Sequence, residues 1–114
     1  MDPIKIVEKP WGREIWVAHT DKYALKIIEF KKGKRSSLQY HNQKVEHIFV
    51  DAGVLKADEM IDGKLVSTVY RAGSVIYNPA GKQHRIEAIE DVRLIEVSTP
   101  ELDDCVRVED DYGR

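Results

Sequence analysis

Short alternations of apolar and polar residues run the length of the chain, and no long segment holds the i, i+3, i+4, i+7 spacing of an amphipathic helix. In EHIFVD (46–51), Ile48 and Val50 fall on one face while His47 and Phe49 fall on the other, the two-residue period of a half-buried strand. Comparable runs recur as EIWVAH, YALKIIEF, SSLQYH, LVSTVYR, SVIYN, HRIEAI and RLIEVS. They are separated by KKGK, DAG, IDGK, RAG and NPAG, and the Asp62-Gly63 pair carries the signal of a tight hairpin turn. Short strands at this spacing predict an all-β antiparallel sandwich or barrel, formed by a single domain over 1–114. Only the tail ELDDCVRVEDD is expected to hold a short helical turn.

Bulk properties narrow the chemistry. A chain of 114 residues, 42% of them hydrophobic, is long enough to bury a core and too apolar for disorder. Eighteen basic and twenty acidic residues give a formal charge of −2, which supplies no basic stripe for nucleic acid. The single cysteine, Cys105, allows no internal disulfide, fits a reducing cytoplasm and reads as a small, partly buried hydrophobe. No signal-peptide apolar region and no membrane-length apolar run is present, so a cytoplasmic protein without a membrane partner is expected.

The scarce coordinating groups are concentrated. Of four histidines, two lie in SSLQYHNQKVEHIFVDAG (36–53) together with Gln39 and Glu46. Gln39 and His41 are two residues apart and project from one face of a strand; NQKV then turns the chain, and Glu46 opens the next strand beside them. The turn in NPAGKQH delivers His84. An amide oxygen, two imidazoles and a carboxylate suit one divalent ion of the Zn²⁺, Mn²⁺, Fe²⁺, Co²⁺ or Ni²⁺ group. His47, by its parity with Glu46, points to the opposite face.

Two spaced motifs carry a resemblance. Gly33, Gln39, His41, Glu46 and Gly53 are spaced like the first cupin motif, with Gln in place of its first His. Gly73, Pro79, Gly81 and His84 are spaced like the second, with Ala88 where Asn is usual. KPWGRE, LKIIEFKKGKRSSLQYH, VEHIFVDAG, VIYNPAGKQHRI, LIEV and DDCVRVEDDYGR further resemble the type II mannose-6-phosphate isomerase domain. That domain forms the C-terminal part of bifunctional mannose-1-phosphate guanylyltransferase/mannose-6-phosphate isomerases. The resemblance implies a cupin jelly-roll barrel (a double-stranded β-helix), with Gln39, His41, Glu46 and His84 as converging metal ligands. It departs from the usual HHHRAEHW at Asn42, Gln43, Lys44 and Ile48, where Lys44 stands for an Arg and loses its bidentate fork.

Further expectations follow from the resemblance. A phosphorylated hexose is the implied small-molecule partner, with interconversion of mannose-6-phosphate and fructose-6-phosphate as the specific activity. Glu96 in LIEV is the candidate base, because a carboxylate among apolar strand residues is pushed towards a neutral pKa. Lys26, Lys44, Arg85, Arg107 and Arg114 match basic positions of the family and are candidate phosphate-binding groups, although strand parity turns Arg85 away from His84. Trp11 is expected to pack against the sheet or a dimer contact, and Tyr40 and Tyr77 to be core or interface aromatics. A homodimer is expected, with IKIV near the N-terminus as an exchanged or paired edge strand. Two alternatives stay open: a non-enzymatic sugar-binding cupin whose metal organises the pocket, and a metal-dependent oxygenase.

Overall fold

The computed structural model describes residues 1–114 and contains eleven strands and no helix. In chain order they are β1 (Lys5–Lys9), β2 (Gly12–His19), β3 (Ala24–Phe30), β4 (Leu38–Tyr40), β5 (Glu46–Ala52), β6 (Val54–Ile61), β7 (Lys64–Arg71), β8 (Val75–Asn78), β9 (His84–Ala88), β10 (Val92–Ser98) and β11 (Val106–Glu109). They form two antiparallel sheets. The first has the order β1-β2-β3-β10-β5-β8, and the second β11-β4-β9-β6-β7. Consecutive strands β4 to β6 alternate between the two sheets, as a jelly roll requires.

One sequence expectation needs correction, one strand went unread, and one of two expected places for an aromatic is excluded. VRVE in the tail is strand β11, paired with β4 through Val106–Tyr40 and Arg107–Gln39, and not a helical turn. VLKADEMI, whose charged residues obscure its alternation, is the full-length strand β6. Tyr77 is 48% exposed and stacks on His47 at 4.6 Å, so it is no part of the core of this chain. The N-terminal IKIV enters β1, an edge strand that pairs with β2 of the same chain.

Alternation places the core between the sheets. Ile28, Phe30, Ile48, Val50, Val92 and Leu94 of the first sheet meet Leu55, Ala57, Ile86 and Ala88 of the second. Trp11 closes this cluster by stacking on Phe30, with ring centroids 4.0 Å apart. The hairpin between β6 and β7 turns at Asp62 and Gly63 with φ of 50° and 77°, the double left-handed conformation that a two-residue turn of this type demands. At Gly53 a Cβ would stand 2.1 Å from the carbonyl oxygen of Asp91, so only glycine fits against the residue that leads into β10.

The interior is graded along the strands. On β10, Val92 and Leu94 face the apolar end, while Glu96 and Ser98 face a polar end. Register carries this across the sheet: Leu94 pairs with Ile28 and Val50, whereas Glu96 pairs with Lys26 and Ile48. The same strand spacing that buries one half of the sandwich therefore builds a polar chamber in the other half.

Candidate metal centre and its pocket

His41 follows β4, Glu46 opens β5 and His84 opens β9, so chain crossings between the sheets bring the distant His84 to the neighbouring pair His41 and Glu46. All three are buried, and their ligating atoms lie within 4.8 Å of one another. Both rings are held from behind. His41 Nδ1 is 2.5 Å from the Asp104 carbonyl oxygen, and His84 Nδ1 is 2.9 Å from that of Lys82. A carbonyl only accepts, so Nδ1 donates in each ring and Nε2 is left for the chamber.

His41 Nε2 is the informative atom. It is buried and has no hydrogen-bond partner, yet Glu46 Oε1 lies only 3.1 Å away. With the proton on Nδ1, an imidazole lone pair faces a carboxylate, an arrangement completed by a cation between them. Burial lowers the His84 pKa, although Glu46 opposes this, so its imidazole is neutral and able to ligate. Burial alone would raise the Glu46 pKa, yet its carboxylate is held below the ordinary value, with the Lys44 ammonium 3.2 Å from Oε1 as the permanent charge beside it. Two imidazoles and a carboxylate are a donor set that fits a borderline divalent ion.

Gln39 stands beside this cluster, opposite His84 in the strand register. Its amide oxygen already accepts from Ser37 Oγ at 2.7 Å and from Cys105 Sγ at 3.3 Å. Cys105 is a half-buried thiol whose pKa is raised by burial. Lys44 is a surprise of placement. It is buried, with Nζ 3.2 Å from Glu46 Oε1 and 3.3 Å from Glu96 Oε2. Burial would discharge it, but Glu96 and Glu46 more than offset that and keep the ammonium charged. Glu96 is itself fully enclosed, and burial together with the Glu46 charge raises its pKa against the pull of Lys44 and Lys26.

A cavity of about 310 Å³ opens onto these groups, at the small end of the roughly 300–1,000 Å³ range of ligand sites. Its wall includes Lys26, Lys44, Arg107 and Arg114. Lys26 is buried and bound to Glu14 at 3.1 Å, and Arg114 pairs with Asp110 at 3.0 Å. Arg107 forms no ion pair and is exposed at the rim. Arg85 is not brought to the cavity. It points away from His84, as parity requires, but is buried under the C-terminal segment, donating to Ser36 and Glu109 carbonyl oxygens at 3.0 and 3.2 Å.

Sequence reasoning missed four contributors. Asn78 is buried and donates to Glu46 Oε2 at 3.1 Å, fixing the carboxylate from the side opposite His41. The Asp104 carboxylate accepts the backbone N–H groups of Asn42, Gln43 and Lys44 and is drawn down to about 2 by those bonds. Lys9 and Trp16 line the cavity. Asn78 begins the NPAG turn and Lys9 begins KPWG, so both sat inside stretches already singled out. Behind His84, its register partner Glu59 binds Lys82 Nζ at 2.6 Å and the Tyr70 hydroxyl at 2.7 Å.

The two-sheet jelly roll with donors gathered inside it defines a cupin-type domain, and comparison with solved structures agrees on the fold. KdgF from Halomonas sp. superposes with a TM-score of 0.76 over 90% of this chain and 96% of its own, at 19% identity. Bacillus subtilis oxalate decarboxylase gives 0.81 over 91% of this chain and 30% of its own, at 17% identity. CapF from Staphylococcus aureus gives 0.79 over 94% and 34%, at 19% identity. Within that class, the chain belongs to the mannose-6-phosphate isomerase C-terminal family, whose model matches residues 3–110. Its relatives include the mannose-1-phosphate guanylyltransferase of Escherichia coli K12, 37% identical over 95% of this chain. The alginate biosynthesis protein AlgA of Pseudomonas aeruginosa is 33% identical over the same share. In each case the chain spans 23% of the relative's length. No helix of the chain is long and apolar enough to cross a membrane.

Proposed function

We propose that this domain binds a phosphorylated hexose over a divalent metal held by His41, Glu46 and His84, and interconverts mannose-6-phosphate and fructose-6-phosphate. The observation that carries this reading is one chamber in which the three donors and the enclosed carboxylate of Glu96 line the same cavity. When bound, the ion supplies Lewis acidity, polarising a carbonyl and its neighbouring hydroxyl. Glu96 removes the proton from the hydroxyl-bearing carbon and returns it to the adjacent carbonyl carbon, while the hydroxyl proton passes to the carbonyl oxygen in the same sense. The raised pKa of Glu96 suits a group that must both accept and release that proton. Arg107 at the rim, free of ion pairs, takes the phosphate, with Lys9 and Arg114 beside it on the cavity wall. The family match and the relatives' mannose-phosphate names support the substrate class.

A second reading has its own support. Lys44 Nζ bridges Glu46 and Glu96, tying up the proposed base and standing where a substrate hydroxyl would approach it. A domain so arranged binds the sugar phosphate without turning it over. The deciding experiment reconstitutes the protein with Zn²⁺, Mn²⁺, Co²⁺, Ni²⁺ or Fe²⁺ and follows isomerisation alongside calorimetric binding. Turnover abolished by Glu96→Gln establishes the isomerase; saturable binding without turnover establishes the binding domain.

A further inference from the structure

The two histidine rings of the chamber are aimed by one device used twice. Each Nδ1 donates to a main-chain carbonyl, that of Asp104 for His41 and that of Lys82 for His84. In both cases the side chain of the carbonyl's own residue is fastened elsewhere in the fold. The Asp104 carboxylate takes three N–H groups of the turn after His41. The Lys82 ammonium reaches the Glu59 carboxylate at 2.6 Å and the Tyr77 carbonyl oxygen at 2.7 Å.

This second anchor lies deeper than a turn lysine requires. Glu59 is 5% exposed, faces inward from β6 and stands opposite His84 in the strand register. Lysines usually keep the ammonium in water, whereas only 17% of the Lys82 side chain is exposed. The turn between β8 and β9 is tied to both of its neighbours. Tyr77 holds it to β8, while Glu59 and the Met60 N–H, which donates to the Gln83 carbonyl at 2.9 Å, hold it to β6. A buried ion pair adds little net stability over an apolar pair of similar volume, so stability alone does not account for this one.

We propose, on the reading of His84 as a metal ligand, that Glu59 and Lys82 are the positioning pair of that ligand. They hold the Lys82 carbonyl where it keeps the proton on Nδ1 and turns Nε2 towards the ion. Neither residue lines the cavity, so the pair acts through the ring and not on the substrate. Groups that orient a ligand in this way are worth about 10–100-fold in metal affinity.

Titration of the intact chain with Co²⁺, against a competing chelator and by the visible absorption of the bound ion, tests the pair. Glu59→Gln should weaken Co²⁺ binding by about tenfold or more and shift the absorption bands, because the ligand field follows the direction of the His84 lone pair. Lys82→Met should do the same. Should the stranded Glu59 charge keep that variant from folding, the double variant Glu59→Gln/Lys82→Met, which buries no charge, is read in its place. It should lose no more than Glu59→Gln alone, since the two side chains act as one unit. Lys82→Arg, still able to reach Glu59, should keep the wild-type spectrum. Tyr70→Phe removes the other bond to Glu59, at 2.7 Å, and should leave the affinity within about twofold. Folded Glu59 and Lys82 variants with wild-type affinity and spectrum overturn the positioning pair and leave the metal centre standing. An equal loss in Tyr70→Phe also overturns it, by showing a general loosening of the strands. A wild-type chain that takes up no Co²⁺ overturns the metal centre and the pair together.

Discussion

Asp104 holds His41 from two directions at once. Its main-chain carbonyl takes the Nδ1 proton at 2.5 Å, while its carboxylate gathers the N–H groups of the three residues that follow His41. Sixty-three positions separate the two in sequence, so the C-terminal segment sets the aim of a ligand on the other side of the chain. Asp104→Ala is expected to weaken divalent metal binding by about 10–100-fold, the usual effect of removing a group that orients a ligand. Asp104→Asn, which keeps one acceptor, should fall between. Competition titration against a chromophoric chelator measures both.

The ligands themselves predict a graded series. His41→Ala and His84→Ala should each remove stoichiometric metal while circular dichroism still reports the β fold, because the apolar half of the sandwich does not include them. Gln39→Ala should lose less, since its amide oxygen is already taken by Ser37 and Cys105. Elemental analysis after reconstitution checks the order; full occupancy in the His84 variant would remove that residue from the site.

Lys44 predicts a metal-dependent stability effect. Lys44→Met leaves Glu46 and Glu96 buried without their shared countercharge, and removing one partner of a buried ion pair costs about 3–5 kcal/mol. Added Zn²⁺ should restore a larger part of that loss than it adds to wild type, because it brings positive charge to the same carboxylates. Thermal melts with and without metal read the difference. A variant as stable as wild type without metal would show that the ammonium does not balance the pair.

Arg107 predicts a split between ligands. Arg107→Ala should weaken mannose-6-phosphate binding by about 10–100-fold, the loss of one or two charge-assisted hydrogen bonds, and leave mannose binding nearly unchanged. Equal losses for both sugars in calorimetry would take the phosphate away from this rim.

Tyr70 predicts an alkaline transition. Burial first, and then its bond to Glu59, push its hydroxyl up to about 12. Because the folded pKa lies above the ordinary tyrosine value near 10, the contribution of this group to stability is complete below pH 10. It is lost as pH rises through 12. Ultraviolet titration should show one tyrosine ionising late, and Glu59→Gln should bring it back towards the ordinary value.

Much of this was readable from residue order because it depends on parity and spacing. Ile48 and Val50 face in while His47 and Phe49 face out, and Asp62-Gly63 turns the hairpin, because both rest on neighbours in the chain. His41, Glu46 and His84 were found by their separation within two motifs. What escaped depends on crossings that spacing does not encode. Lys44 lies in the NQKV turn, where no period tells inward from outward. Arg85 was rightly turned away from His84, yet the C-terminal segment lies over it and buries it. The same segment supplies Asp104 and β11, and its density of acidic residues disguised a strand as a short helical turn.

The donors come from both sides of the sandwich: Glu46 from the first sheet, His84 from the second, and His41 from the turn leaving the second. An ion held by all three would therefore rivet the two leaves together at the end where few apolar side chains do so. Opening the sandwich there would first require letting the ion go. A ligand bound only by the closed form, at about a thousand times its dissociation constant, adds about 4 kcal/mol to the cost of opening. Metal supply would then govern how long the molecule persists against heat and proteases, before any substrate arrives.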